Sequence, residues 1–341
     1  MTPAIFGIAG AELTAEERNF FREADPAGYI LFGRNCIDRQ QMRALTAALC
    51  DIHGRDALYI CIDQEGGRVA RMRPPEWPEF PAGARFDALY REAPASAIQA
   101  ARLNAEAMGR ELAAVGITAD CHPPLDIPVP GAHDVIGDRA LGSDPLQVAA
   151  IGRGILDGFA KAGIAGCIKH MPGHGRSTVD THKDLPTVTA TAEELERDIA
   201  PFRSLNHAPA GMTGHLIFTE WDRDNPATQS RTVIEEIIRG KIGFDGLLMT
   251  DDIDMEALSG TIAERSVKAI EAGCDLVLNC WAKMDDMQGI ANDLPALTQN
   301  GHERLERALA VTRLTSSDEI EPAETLLAER DALFAAAGLA A

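Results

Sequence analysis

The stretch GIAGCIKHMPGHGRSTVDTHKDL, residues 163–185, decides how the rest of the chain is read. Its first part, Gly163 to Ile168, is apolar and strand-like. The remainder holds three histidines (His170, His174, His182), two aspartates (Asp180, Asp184) and two lysines (Lys169, Lys183) around a Pro-Gly turn. A buried strand that opens into a polar, glycine-rich loop is the usual setting of a catalytic loop, although solvated surface has the same composition. The neighbouring sequence has to discriminate between the two.

Working outward, seven further apolar runs alternate with helical patterns: Ala4 to Ala9, Gly28 to Phe32, Leu58 to Asp63, Ile117 to Cys121, Gly211 to Phe218, Leu247 to Asp252 and Cys274 to Cys280. Helices are expected from Thr14, Asp38, Ala95, Asp144, Thr191, Thr232 and Thr261. Thr14 with Glu17 and Thr191 with Glu194 have the spacing of a capping box. Strands that are apolar throughout, rather than alternating, belong to parallel sheets buried on both faces. Eight of them close a barrel. The competing doubly wound sheet lacks its glycine fingerprint after the first strand. The expected fold is therefore α/β, a single (β/α)8 TIM-type barrel domain over residues 1–341, with extra helices after Trp281.

Composition narrows the function. Lys and Arg total 32 against 52 Asp and Glu, a net charge of −20. Such a surface repels nucleic acid and anionic lipid, so neither is an expected partner. Seven cysteines without ligand spacing fit small buried hydrophobes in a reducing compartment. The N-terminus has no signal-peptide pattern and no run is long enough to span a membrane, which makes the cytoplasm the expected location.

A barrel collects its chemistry at the C-terminal ends of its strands. Those ends carry Asp63 and Arg71, Asp126, Lys169 and His170, His215, and Asp251 with Asp252; Arg139 lies in the long fourth loop. Each has a plainer reading. His215 suits a satisfied core histidine as well as a ligand contact, Asp126 suits a turn, and Arg71 and Arg73 suit surface charge. Asp252 is read as the cap of the following helix. The doublet in DQEGGR implies a tight loop that presents a side chain inward. A zinc site from His170, His182 and Asp180 is the weaker reading, the Pro-Gly between His170 and His174 breaks the helical register that makes their spacing useful, and no metal or cofactor is expected. Asp180 and His182, two apart in an extended segment, can pair so that the carboxylate orients the imidazole for proton transfer. Asp251 would supply an anionic nucleophile.

DQEGGRVAR, HPPLD, GDRALGSDP, KHMPGHGRSTVDTHKDLP and MTDDIDMEAL, in that order, resemble the single-domain β-N-acetylhexosaminidases of glycoside hydrolase family 3. The resemblance implies that Asp251 is the nucleophile and His182 the acid/base, with Asp180 as its partner. It also implies that Asp63, Arg71, Arg139, Lys169 and His170 hold a terminal N-acetylglucosamine. Bacterial members of this size are cytoplasmic enzymes of peptidoglycan recycling that act on anhydro-muropeptides, and a monomer is expected. A histidine is neutral after giving up its proton, so an anionic aglycone is tolerated beside it. Lys169, Arg71 and Arg139 would then supply a local positive field, and Asp63 with Lys169 could grip neighbouring hydroxyls. Two alternatives stay open: a phosphorylase using the same residues, and a non-catalytic sugar-binding protein on the same scaffold.

Overall fold

Side chains along a strand point alternately to its two faces, so a barrel strand has an inner and an outer set. In Tyr59–Ile62 (β3), Tyr59 and Cys61 belong to the inner core and Ile60 and Ile62 to the outer one. The same alternation continues in Ala165–Met171 (β5) and Leu247–Asp252 (β7), with Ala165, Cys167, Leu247 and Met249 inside and Ile168 and Leu248 outside. Carried on by two residues, the inner phase of these strands reaches Asp63, Lys169 and Asp251. The barrel thus brings three charged groups from distant parts of the chain towards one axis.

The computed structural model describes residues 1–55, 57–177, 185–313 and 322–339. The other barrel strands are Thr2–Gly7 (β1), Pro26–Leu31 (β2), Ala119–Asp120 (β4), Ala210–Thr213 (β6) and Leu276–Asn279 (β8). All pair in parallel with their sequence neighbours, and β8 closes on β1 through Ala4 opposite Val277 and Ile5 opposite Leu278. The eight-stranded closed barrel expected from the sequence is the observed fold. Helices sheath it, and their caps follow the sequence: Thr14, Thr191 and Thr261 each accept a backbone N–H while Glu17, Glu194 and Glu264 reach back, and Asp144 accepts from Leu146 and Gln147. The closing helix Ala323–Ala336 packs on Pro94–Ala113, where Arg330 Nη1 donates to Asn104 Oδ1 at 2.8 Å.

Several elements differ from expectation. The fourth strand is only two residues long, because the two prolines of HPPLD cannot donate to a ladder. The sixth ends at Thr213, and Ile217–Phe218 pairs instead with Thr187–Val188 in a small separate sheet. The fifth runs on to Met171, so Lys169 and His170 sit within a strand rather than after it. A helix, Gly83–Glu92, interrupts the long third connection, and Val233–Ile242 is wound as a π-helix.

Gly175 shows how tightly the fifth loop is laid down: a Cβ there would lie 1.9 Å from the Ile127 carbonyl oxygen. Gly175→Ala is expected to destabilise the fold by about 2–3 kcal/mol in urea denaturation. Gly10→Ala, which meets nothing within 4 Å, should stay within ~0.5 kcal/mol of the parent.

Candidate active site

At the C-terminal mouth of the barrel lies a cleft of about 180 Å³. Sites for drug-sized ligands run ~300–1,000 Å³, so this one has room for a ring-sized group. Asp63, Arg71, Arg139, Lys169, His170 and Asp251 all line it, together with His174, Val69, Val135, Ile136 and Met212. Six of the eight residues that the resemblance implies are therefore in one place. The remaining two, Asp180 and His182, lie outside the described residues.

Lys169 is the centre of the arrangement and is 2% exposed. Its Nζ donates to Asp63 Oδ1 at 3.0 Å and lies 2.7 Å from Glu65 Oε1. At an effective dielectric of ~20, one such contact is worth roughly 5 kcal/mol, so two outweigh a burial penalty of several kcal/mol. The ammonium accordingly stays charged, its pKa pushed upward by the two carboxylates against burial. Glu65 also takes both arms of Arg139, from Nε at 2.9 Å and Nη2 at 2.7 Å. Asp63 takes Arg71 Nη2 at 3.1 Å. Burial works to raise the Asp63 carboxyl, but Lys169 and Arg71 hold it down at about 2. The local positive field expected from Lys169, Arg71 and Arg139 is thus partly offset, because the three cations share two carboxylates, Asp63 and Glu65.

Glu65 was not among the sequence candidates, though its signal was the turn itself. Glu65 and Gly66 both donate their N–H to the Val69 carbonyl, and Gly66 and Gly67 have φ of 100° and 55°, where a side chain would be strained. That hairpin turns Glu65 inward.

Asp126 proves to be more than a turn residue. Buried behind β5, it accepts His170 Nδ1 at 2.7 Å and the backbone N–H groups of His170 and His174 at 3.2 and 2.6 Å. Burial opposes its ionisation, yet His170 and these donors hold the carboxyl at about 2. Asp126 therefore fixes the ring of His170, whose centroid lies 5.5 Å from that of His174 in an edge-on pair. Burial and the neighbouring His170 lower His174 to about 4, leaving it neutral at pH 7.

Asp251 ends β7, with Oδ1 accepting the Asp252 backbone N–H at 2.8 Å. Burial raises its carboxyl pKa, but His170, His215 and that N–H together bring it below the usual value. His215 is the satisfied core histidine. Its Nε2 lies 3.0 Å from the Asp252 carbonyl, which only accepts, so Nε2 carries a proton, and Nδ1 lies 2.8 Å from Thr228 Oγ1. The reading of Asp252 as a helix cap is corrected. The next helix, Ile262–Ala272, starts well downstream under Thr261, and Asp252 Oδ1 instead accepts from the N–H groups of Asp254 and Cys280. Burial, with Asp254 and Asp251 nearby, pushes it up to about 7. Arg73 is surface charge bonded to carbonyls, unlike Arg71. Among the described residues no group of three or more His, Cys, Asp or Glu could hold a metal ion.

Two outcomes follow from this charge network. Glu65→Gln leaves two buried cations facing fewer carboxylates and is expected to cost about 3 kcal/mol of stability in urea denaturation. Asp126, held at about 2 against an ordinary 3.8, contributes stability that is present above pH 3.8 and lost as pH falls towards 2. The stability gap between the parent and Asp126→Asn should therefore be about 2 kcal/mol at pH 6 and close by pH 2, as measured by denaturant titrations across that range.

The sequence profile of the glycosyl hydrolase family 3 N-terminal domain matches residues 6–316. A β-hexosaminidase of Bordetella avium is 39% identical over 285 residues, covering 82% of this chain and 80% of that protein. One from Tolumonas auensis is 38% identical over 288 residues, at 82% and 83% coverage. Among solved structures, NagZ from Neisseria gonorrhoeae in complex with N-trifluoroacetyl-D-glucosamine superposes with a TM-score of 0.87 at 31% identity, over 100% of this chain and 98% of that one. A family 3 β-N-acetylglucosaminidase from Paenibacillus gives 0.84 at 32% identity, over 97% of this chain and 66% of the other. A profile match over nearly the whole barrel and relatives approaching 40% identity lead to one conclusion: the chain belongs to glycosyl hydrolase family 3 and groups with its β-hexosaminidases.

Proposed function

We propose that the chain, as one catalytic unit from 1 to 341, is a retaining exo-β-N-acetylglucosaminidase. Its substrates would be peptidoglycan fragments such as GlcNAc-1,6-anhydroMurNAc-peptides, met in the cytoplasm during cell-wall recycling by a monomeric enzyme. The observation that carries the reading is Asp251: a carboxylate kept ionised in a ring-sized cleft, beside Lys169, His170 and two arginines already oriented by carboxylates. The similarity to NagZ, whose structure holds an N-acylated glucosamine, supports the assignment of the sugar.

Asp251 attacks the anomeric carbon as the bond to the glycosidic oxygen breaks. With Oδ1 held by the Asp252 N–H, Oδ2 is the free lone-pair donor. His182, oriented by Asp180, gives its proton to the departing oxygen. In the second step the neutral imidazole takes a proton from water as that water displaces Asp251, and two inversions leave the β-anomer. Asp63 and Lys169 offer adjacent acceptors and donors to sugar hydroxyls, and the Asp126-locked ring of His170 offers Nε2. Among the described residues no helix is long and apolar enough to cross a membrane.

Asp251→Ala is expected to lower kcat on 4-nitrophenyl β-N-acetylglucosaminide by at least ~10⁴-fold, and near-parental turnover would refute the nucleophile. His182→Ala should lose ~100-fold on poor leaving groups and far less on nitrophenolate in the first step. NMR of early product should show free β-N-acetylglucosamine rather than the 1-phosphate, even with phosphate present.

A further inference from the structure

The DQEGGR turn grips the fourth loop twice. Glu65 and Arg68 stand on either side of Gly66 and Gly67, and both reach that loop. Glu65 takes Arg139 through Nε and Nη2 at 2.9 and 2.7 Å. Arg68 Nε lies 2.8 Å from Asp138 Oδ1, on the residue just before Arg139. The hairpin offers an acid and a base, and the loop answers with a base and an acid. The Glu65 pair is buried, whereas the side chains of Arg68 and Asp138 are 45% and 47% exposed.

An exposed ion pair alone is worth only ~0–1 kcal/mol, so charge would leave Arg68 as ordinary surface. Its second arm sets it apart. Nη2 converges on the carbonyls of Asp134, Val135 and Ile136 at 2.8, 3.0 and 3.2 Å. Only a planar guanidinium can span a carboxylate and a row of carbonyls at once. The hairpin behind it is firmly seated: Gly67 N–H donates to the Phe80 carbonyl at 2.8 Å, and Arg73 Nη2 donates to the carbonyl of Arg68 itself at 2.9 Å. The loop segment it holds is superficial, with His133, Asp134 and Asp138 exposed, so burial does little to fix it.

That segment shapes the cleft. Val135 and Ile136 line it, as does Val69 beside Arg68, and these are three of its four apolar lining residues. The Val135 carbonyl also accepts Arg139 Nη1 at 3.3 Å, so Arg68 and Arg139 share one acceptor. A shift of residues 134–136 would move the apolar wall and Arg139 together.

We propose that Arg68 is a positioning residue for the terminal sugar, acting through Asp138 and the three carbonyls to hold Val135, Ile136 and Arg139 in register with the cleft. This rests on the glycosidase reading above and adds to it a residue outside the cleft that sets affinity for the ring. Asp251 on β7 and Lys169 and His170 on β5 are not carried by the fourth loop, so binding is affected more than turnover.

The test measures the competitive inhibition constant of free N-acetylglucosamine, and kcat on 4-nitrophenyl β-N-acetylglucosaminide, in the unmodified enzyme, Arg68→Gln, Arg68→Lys and Asp138→Asn. In Arg68→Gln the inhibition constant should rise about tenfold while kcat stays within about threefold. Arg68→Lys should stay close to Arg68→Gln, because one ammonium cannot span both groups of acceptors; full rescue by lysine would overturn the carbonyl clamp. Asp138→Asn keeps the carbonyl bonds and should raise the constant by no more than about threefold. An unchanged inhibition constant in Arg68→Gln, with only the urea midpoint lowered, would mark Arg68 as purely structural and overturn the proposal, as would an equal loss in kcat and affinity. Should Arg68→Gln fail to fold, Gly137→Ala disturbs the same clamp from the loop side, since a Cβ there would lie 3.1 Å from Arg68 Nη2. It should weaken inhibition with kcat retained, and parental inhibition would overturn the proposal. If the unmodified enzyme neither turns over the glycoside nor binds N-acetylglucosamine, the glycosidase reading falls, and this inference with it.

Discussion

The site depends on a single buried ammonium. Lys169 has almost no contact with water, and a charge in that position persists only because Asp63 and Glu65 reach it from the third loop. Each carboxylate has a second cation, Arg71 for Asp63 and Arg139 for Glu65. One lysine therefore joins the fifth strand to the third loop and, through Glu65, to the fourth. The desolvation cost is met by rigid geometry, and that rigidity keeps hydroxyl-binding groups in place before any ligand arrives.

Why these groups meet follows from strand periodicity. The inner core beneath them includes Tyr59, Cys61, Cys121, Cys167, Leu247 and Met249, with no Asp, Glu, Lys or Arg side chain in that cluster. Charge appears only where the inner phase leaves the packed layers, at Asp63, Lys169 and Asp251. The floor of the site is consequently of low polarisability, which strengthens every ion pair above it and raises the cost of any unpaired charge. His215 fits that constraint: it is fully buried near Asp251 with both ring nitrogens engaged.

The barrel was legible because eight apolar runs separated by helical patterns admit few arrangements, and the caps at Thr14 and Thr191 were readable from local spacing alone. The strand-end residues were legible for the same reason, since topology fixes which end carries chemistry. Glu65 was not picked out and Asp126 had a turn as its plainer reading, because their roles depend on partners 74 and 44 residues away: the Arg139 fork and the His170 ring. Asp252 was misread because a carboxylate before a helical pattern looks like a cap in sequence. Its actual partners, the N–H groups of Asp254 and Cys280, depend on the pairing of β7 with β8. Local signals reveal caps and turns, whereas second partners of buried ions are set by tertiary contact.

The charge balance of the cleft bears on what it can discriminate. Three cations face Asp63, Glu65 and Asp251, so the pocket that takes the terminal ring is close to neutral overall and rich in shared hydrogen bonds. Such a pocket selects by the placement of hydroxyl and acyl groups, and it leaves the anionic nucleophile without a competing free cation. Selection by charge must then come from groups beyond the ring. The acidic surface disfavours an anionic aglycone at long range, so a favourable contact with one has to be short, fixed and cationic.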